Sequence, residues 1–289
     1  MYLHASEQST RRYPGHGLGG GGGCSPDAVT KGTSCWFDST SSQSPTAVYV
    51  PAAALRSDPV RLLVWIHGDI IPCGDEGKDA ISYVKSDIFP LARQLTDSKQ
   101  PFVLVVPTMK WNWKTNKVRH ALGTPKTMNA FLDEVRSGLS RAGWSKAPTI
   151  GRLILAGHSR AYVVLNALAA ASSDPASSLG ALGKLSDLWL IDTTYGKKNK
   201  AIHCKNWMDW ARTRAKAPFV NLRILYRKDS DTSDVAECIR DEAVKSALSN
   251  VTVQGFPSHC SLPRDQLPAL LAAGVTTPRA PRSGTSSRT

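Results

Sequence analysis

Long apolar segments are missing from this 289-residue sequence, and so is a recognisable export signal. No apolar run approaches the roughly 18 residues that a helix needs to cross a bilayer. Residues 1–7 also lack the basic-then-apolar order of a signal peptide. We therefore expect no transmembrane segment, and either a cytosolic protein or one whose export signal lies outside this sequence.

Closely spaced cysteine pairs are also missing, although the chain contains six cysteines. Structural zinc sites usually gather their ligands from such pairs, so the sequence predicts no metal site. The chain likewise has no RNP motif, no zinc-finger spacing and no basic heptad repeat. Nucleic acid is therefore not an expected partner, although 36 Lys and Arg against 23 Asp and Glu give a net charge of +13. A basic module that binds acidic polymers stays open as a weaker hypothesis.

Three segments differ in composition. Residues 1–44 are rich in Gly, Ser and Thr and are predicted to be mostly flexible, because they cannot bury enough apolar area to offset their backbone entropy. Residues 275–289 are predicted to be a disordered tail for the same reason. Residues 45–274 hold the apolar material for a core and are predicted to form one domain.

Short apolar runs alternate with amphipathic segments between the two tails. The runs predict strands over residues 46–50, 60–66, 102–106, 152–156, 188–191, 220–226 and 251–253. The amphipathic segments predict helices over residues 127–142, 160–171, 205–215, 233–248 and 264–273. This alternation indicates an α/β fold with a mainly parallel sheet covered by helices on both faces. Active residues in such folds lie at the carboxyl ends of the strands.

The pentapeptide Gly157-His158-Ser159-Arg160-Ala161 lies between a predicted strand and a predicted helix. A serine hydroxyl is a weak nucleophile and must be presented to a base and to oxyanion donors together, which a sharp strand-to-helix turn achieves. Small residues two before and two after the serine let the strand and helix pack closely. The segment resembles the nucleophile elbow of the α/β-hydrolase superfamily, with Ala161 in place of the usual glycine. The alternative interpretation of Ser159 is a simple helix cap.

The resemblance covers residues 45–273 and implies an oxyanion hole. His67-Gly68-Asp69 is similar to the family's His-Gly turn after the third strand. The backbone N–H groups of Arg160 and of the loop at Asp69 are the implied donors. A carboxylate at position 69 is unusual there and must face away from the oxyanion or meet a cation. His67 is interpreted as structural, and His158 as a packing residue.

The superfamily orders its catalytic residues as nucleophile, acid and histidine. His259 follows the last predicted strand and fits the histidine of that order. Two aspartates compete for the acid, because Asp192 ends the predicted strand 188–191 and Asp229 follows the next one. The superfamily most often takes its acid after the later strand, which favours Asp229. The sequence Leu-Ile-Asp192-Thr-Thr-Tyr-Gly, however, resembles a subset of bacterial hydrolases in which the earlier strand ends in Asp. Both assignments stay open.

A wall of the cleft is predicted from Trp111 and Trp113, which follow the strand 102–106. They would line an apolar acyl or aryl pocket, or else pack on the sheet edge. The resemblance implies a serine hydrolase, with a carboxylic-ester hydrolase acting on a small-molecule ester as the leading hypothesis and no cofactor. The alternative is a non-catalytic member of the fold that binds a ligand or partner, and Asp69 and Ala161 are the features that favour it.

The six cysteines allow 15 disulfide pairings. Cys24 with Cys35 would close a short N-terminal loop, and Cys204 with Cys238 would join two helices that follow adjacent strands. Cys73 with Cys260 would join two loops beside the expected active site. Scattered reduced thiols are the alternative. The even count favours an oxidising compartment, so a secreted or periplasmic location is preferred to a cytoplasmic one.

Overall fold

A computed structural model describes residues 23–55, 57–68, 73, 84, 89–109, 121–171, 174, 179–215 and 220–273. The described chain forms a nine-stranded sheet in the order β1-β2-β3-β5-β4-β6-β7-β8-β9. The strands are β1 Gly23–Pro26, β2 Thr33–Ser39, β3 Ser44–Val50, β4 Val60–Ile66, β5 Phe102–Pro107, β6 Ile150–His158, β7 Leu185–Ile191, β8 Asn221–Arg227 and β9 Val251–Phe256. Strands β4 to β9 pair in parallel, and β1, β2 and β3 extend one side of the sheet antiparallel.

Helices cover both faces of this sheet, as the sequence predicted. They are α1 Leu91–Asp97, α2 Pro125–Gly138, α3 Tyr162–Ala170, α4 Lys200–Arg214, α5 Ser233–Lys245 and α6 Leu262–Ala273. Helices α2 to α5 pack in one apolar cluster and α1 and α6 in a second. Strand β4 is apolar from Leu62 to Ile66 because both of its faces are buried there: Leu62, Val64 and Ile66 face the first cluster, while Leu63 and Trp65 face the second. The predicted α/β fold with a mainly parallel sheet is confirmed.

Local signals define the ends of α2. Thr124 caps its start, where the side-chain hydroxyl accepts a hydrogen bond from the Thr127 N–H at 3.2 Å and Pro125 takes the first helical position. A 3-10 turn over Leu139–Ala142 follows the helix and ends at Gly143, whose φ of 112° suits glycine. The predicted helix over residues 127–142 therefore becomes an α-helix followed by this turn.

The predicted boundary at residue 45 is wrong, because the sheet already begins at Gly23. Residues 23–44 were expected to be flexible, yet β1 and β2 pair with each other and β2 pairs with β3 over seven residues. A disulfide joins Cys24 to Cys35, which are direct partners across β1 and β2. This cross-link lowers the backbone entropy that a Gly- and Ser-rich hairpin loses on folding. Residues 1–22 and 275–289 lie outside the described residues, so their predicted flexibility stays a prediction.

Two further disulfides link distant parts of the fold. Cys204 in α4 is bonded to Cys238 in α5, and Cys73 in the segment after β4 is bonded to Cys260 after β9. These are the three pairings considered from the sequence, and such bonds are typical of oxidising compartments such as the periplasm or the extracellular space. Within the described ranges, no helix has both the length and the apolarity needed to cross a membrane.

Candidate active site

Four of the predicted site residues follow parallel strands of the sheet. Gly68 comes after β4, Ser159 after β6, Asp192 after β7 and His259 after β9. Because the carboxyl ends of parallel strands meet at one edge of a sheet, the fold brings these four residues to the same edge. Strand β6 lies between β4 and β7, which places Ser159 between the Gly68 loop and the Asp192 loop.

Ser159 has a backbone conformation that non-glycine residues rarely adopt, with φ at +54°. The turn brings strand β6 and the following helix very close together. A Cβ atom on Gly157 would lie 2.5 Å from Leu165 Cδ1 and 2.7 Å from Ala161 Cβ. Glycine is therefore required at position 157, and the methyl group of Ala161 fits only because position 157 has none. A strained serine at the end of a central strand indicates a functional constraint.

Gly68 lies directly against this serine. A Cβ atom at position 68 would be 2.5 Å from Ser159 Cβ and 3.2 Å from its Oγ. The ring of His67 holds the turn: its Nε2 accepts a hydrogen bond from the Met109 N–H at 2.8 Å, which leaves Nδ1 to donate to the Gly68 carbonyl at 2.7 Å. This geometry agrees with the structural role expected for His67. Asp69, the implied second oxyanion donor, lies outside the described residues.

The other predicted residues around the serine are Arg160 and Trp111. Arg160 belongs to the 3-10 turn Ser159–Ala161, which leads directly into α3. Its backbone N–H is therefore close to the nucleophile position. Trp111, together with Trp113, lies outside the described residues, so the predicted aromatic wall stays a prediction.

Asp192 is the aspartate that contacts His259. Its Oδ2 accepts a hydrogen bond from His259 Nδ1, and its Oδ1 accepts from Thr232 Oγ1 and, at 2.9 Å, from the Arg227 N–H. Burial opposes ionisation of this carboxyl, which is 1% exposed, but the hydrogen bonds from His259, Thr232 and Arg227 outweigh it and lower its pKa. Asp192 is therefore held as a carboxylate beneath the imidazole.

The competing aspartate is placed differently. Asp229 is exposed on the turn after β8, where its φ is +55°. No hydrogen bond or ion pair joins it to His259 within the described residues. The structure thus brings together Ser159, Asp192 and His259 and leaves Asp229 at the surface.

His158 packs against the candidate base. Its ring lies 4.6 Å from the ring of His259 at an interplanar angle of 31° and 5.5 Å from Phe89 on another side. Its Nε2 also approaches the His259 carbonyl oxygen at 3.2 Å, so Nε2 carries the hydrogen and donates. Burial, together with the nearby charge of His259, lowers the pKa of His158 to about 3. His158 is therefore a neutral support for the histidine loop.

The buried neutral state of His158 is expected to make folding sensitive to acid. Below pH 6.5 the unfolded chain binds a proton at this histidine, whereas the folded chain binds it only near pH 3. Stability should therefore fall as the pH drops between these values, by up to about 5 kcal/mol from this group. His158→Phe keeps an aromatic ring and removes this titration. Urea unfolding of both proteins at pH 7, 6, 5 and 4 should give a flatter pH dependence for the variant, and equal slopes would contradict the expectation.

Tyr195 and Thr232 are site residues that sequence reasoning missed. Burial raises the pKa of the Tyr195 hydroxyl and the charge of Asp192 raises it further, while a hydrogen-bond interaction with Ser159 opposes both. Tyr195 therefore lies beside Ser159 as a protonated phenol. Its position three residues after Asp192 was the signal that could have identified it. Thr232 follows β8 in a polar turn, and nothing in its local sequence marks it as a site residue. Its carbonyl also accepts a hydrogen bond from Thr194 Oγ1 at 2.8 Å.

Comparison with solved structures agrees with this architecture. The S-formylglutathione hydrolase of Agrobacterium tumefaciens matches with a TM-score of 0.55 at 14% identity, over 87% of this chain and 98% of that chain. The feruloyl esterase module of Clostridium thermocellum matches with a TM-score of 0.55 at 11% identity, over 86% of this chain and 92% of that chain. This chain has the α/β-hydrolase fold.

A third structure of the α/β-hydrolase fold, a ferulic acid esterase, matches with a TM-score of 0.52 at 11% identity, over 88% of this chain and 95% of that chain. The chain matches no protein-family model and no curated protein sequence. At these identities the matches show the fold, and the chemistry must be argued from the residues of this chain.

Proposed function

We propose that this protein is a serine esterase that hydrolyses small carboxylic esters. The hydrogen bond from His259 Nδ1 to the buried carboxylate of Asp192 carries the proposal, because it lies at the strand edge that presents Ser159 in a strained turn. A carboxylate bonded to an imidazole, with a serine at the same edge of the sheet, supplies the parts that nucleophilic acyl transfer needs.

The chemistry divides among the three side chains. His259 takes the proton of the Ser159 hydroxyl as the oxygen attacks the ester carbonyl, and it later returns that proton to the leaving alcohol. Water then attacks the acyl-enzyme by the same route. Asp192 keeps the hydrogen of His259 on Nδ1, so that Nε2 is free to act as the base, and it stabilises the imidazolium that forms. Asp192 can do so because three hydrogen bonds keep it ionised.

The developing oxyanion needs donors on the Gly68 side of the serine. The backbone N–H of Arg160 and a backbone N–H that follows Gly68 in the sequence supply them in this proposal. Gly68 suits the role because its missing side chain lets the turn lie against Ser159. His67 keeps that turn in place through its hydrogen bonds to Gly68 and Met109.

The proposed substrate class is supported by the names of the three structural matches, which are an S-formylglutathione hydrolase, a ferulic acid esterase and a feruloyl esterase module. Two of these names describe esterases, and the geometry described above suits the hydrolysis of an ester. A small-molecule carboxylic ester is therefore the proposed substrate.

A fluorophosphonate probe tests the proposal directly. The probe phosphonylates a serine that is activated by a base, so one label per folded molecule is expected, located at Ser159 by peptide mass spectrometry. Ser233, which also begins a helix, serves as an internal control and should stay unlabelled. Protein unfolded in urea should not react at either serine. If the folded protein is not labelled at Ser159, a non-catalytic binding protein of the same fold becomes the better interpretation.

A further inference from the structure

The disulfide between Cys73 and Cys260 lies immediately beside His259. It joins the segment after β4 to the loop after β9, across 187 positions of sequence. An imidazole nitrogen of His259 and the two sulfurs lie within 4.8 Å of one another. Three atoms that can bind a soft metal ion thus converge on one point at the candidate base.

Among the residues that the structure describes, the other two disulfides have no third ligand group beside them. Cys24–Cys35 lies across β1 and β2, and Cys204–Cys238 joins α4 to α5. Throughout the described ranges, Cys73, His259 and Cys260 form the one cluster of three His, Cys, Asp or Glu ligand atoms at this spacing. All three residues are half-buried, so a reductant and a metal ion can reach them from solvent.

We propose that reduction of the Cys73–Cys260 disulfide opens a metal site formed by these two thiolates and His259, which binds a soft divalent cation of the zinc type. A dithiol supplies two electrons and two protons to the disulfide and leaves as its own cyclic disulfide. The metal ion then displaces one proton from each thiol when it binds. In the oxidised protein the sulfurs are bonded to each other and offer no thiolate, so the site is closed.

The spacing suits zinc. Zn–S bonds of about 2.3 Å and Zn–N bonds of about 2.0 Å in a tetrahedron place neighbouring donors about 3.5 to 3.8 Å apart. The three donor atoms already lie within 4.8 Å of one another, so the sulfurs need only separate from bonding distance once they are reduced. The fourth position is open to water, because the cluster is reached from solvent.

Metal binding would switch off catalysis, and this consequence rests on the proposed function. The general base must offer the lone pair of Nε2 to the Ser159 hydroxyl. A metal ion on Nε2 occupies that lone pair, and one on Nδ1 displaces Asp192 from its hydrogen bond. Either contact removes the base, so a reduced, metal-loaded enzyme would be inactive until the metal ion is chelated.

Cadmium titration tests the site without reference to activity. The full chain is reduced with dithiothreitol, desalted without air and titrated with Cd²⁺, whose thiolate complexes absorb in the near ultraviolet. Reduced wild type is expected to bind one more Cd²⁺, with the matching extra absorbance, than reduced Cys73→Ser/Cys260→Ser, which keeps the other two cysteine pairs. Oxidised wild type is expected to gain none. His259→Ala is expected to weaken that binding by more than about tenfold, since losing even a group that supports a ligand costs that much.

The outcomes separate the two proposals. Absorbance no greater than that of the double variant, or unchanged affinity in His259→Ala, would overturn the metal site. If the double variant does not fold, the difference in Cd²⁺ affinity between reduced wild type and reduced His259→Ala still decides the question. Ester hydrolysis that is lost on Cd²⁺ addition and restored by EDTA supports both proposals. Cd²⁺ binding by a protein that never hydrolyses esters supports the site and contradicts the proposed function.

Discussion

Replacing Ser159 with alanine is expected to lower kcat for p-nitrophenyl acetate by about 10⁵- to 10⁶-fold. In the proposed mechanism the hydroxyl oxygen forms the acyl-enzyme, and without it His259 and the oxyanion donors have no attacking group to act on. The residual rate would come from the binding of substrate near the oxyanion donors. KM should change little, since the substitution removes a single atom from the cleft.

The control for this variant separates catalysis from folding. Ser159→Ala keeps the Cβ atom that lies against Gly68, so its free energy of unfolding in urea should stay within about 1 kcal/mol of wild type. Ser233→Ala is the matched substitution at the start of another helix and should keep full activity. If Ser159→Ala retained more than about 1% of wild-type kcat, another residue would have to be the nucleophile.

Asp192→Asn is expected to lower kcat by about 10⁴-fold. An asparagine keeps the size of the side chain but has no charge to stabilise the imidazolium, and its amide N–H can turn His259 to the tautomer that protonates Nε2. Because Asp192 is 1% exposed beneath His259, it does not meet the substrate, and KM should be nearly unchanged. Steady-state kinetics with p-nitrophenyl esters measure both constants.

Asp229→Asn is the matched control for that substitution. Asp229 also follows a strand and also has a positive φ, but it is exposed and does not contact His259. Its variant should keep kcat within about twofold, as expected for a surface site. A loss of similar size in Asp229→Asn, or full activity in Asp192→Asn, would show that the proposed acid is wrong.

Much of the fold could be predicted from local pattern. Strands β4 and β6 are apolar on both faces because each is covered by helices on both sides, and such runs are recognisable in a sequence. The position of Ser159 between a strand and a helix was predicted in the same way. The role of Gly157 followed from close packing, and the contacts that a Cβ atom would meet there explain it.

Other elements have no local signal. Strand β1 has only four residues and β2 has only three apolar residues in a row, so neither has a clear alternating pattern. They form because the Cys24–Cys35 bond and pairing with β3 offset their entropy. Helix α1 has only seven residues and too few apolar positions for a periodic pattern. Their stability comes from partners elsewhere in the chain, which a local window does not contain.

Contacts in the folded chain, and not the local sequence, distinguish the two candidate aspartates. Asp192 and Asp229 each follow an apolar strand, so their sequences predict the same edge of the sheet. Contacts across the fold separate them: Thr232 and Arg227 donate hydrogen bonds to Asp192, and His259 reaches it from 67 positions away. Asp229 receives none of these bonds and lies in solvent.

Local sequence is sufficient for the strand-to-helix turn at Ser159, because the apolar runs, the small residues and the serine are neighbours along the chain. Only the folded chain selects Asp192 and places the Cys73–Cys260 bond beside His259, since these contacts join residues 67 and 187 positions apart. Burial of local apolar runs depends on residue type, whereas a hydrogen bond or a disulfide depends on where two distant backbones meet. The packing of the whole sheet determines which distant backbone segments come close enough to form such a bond.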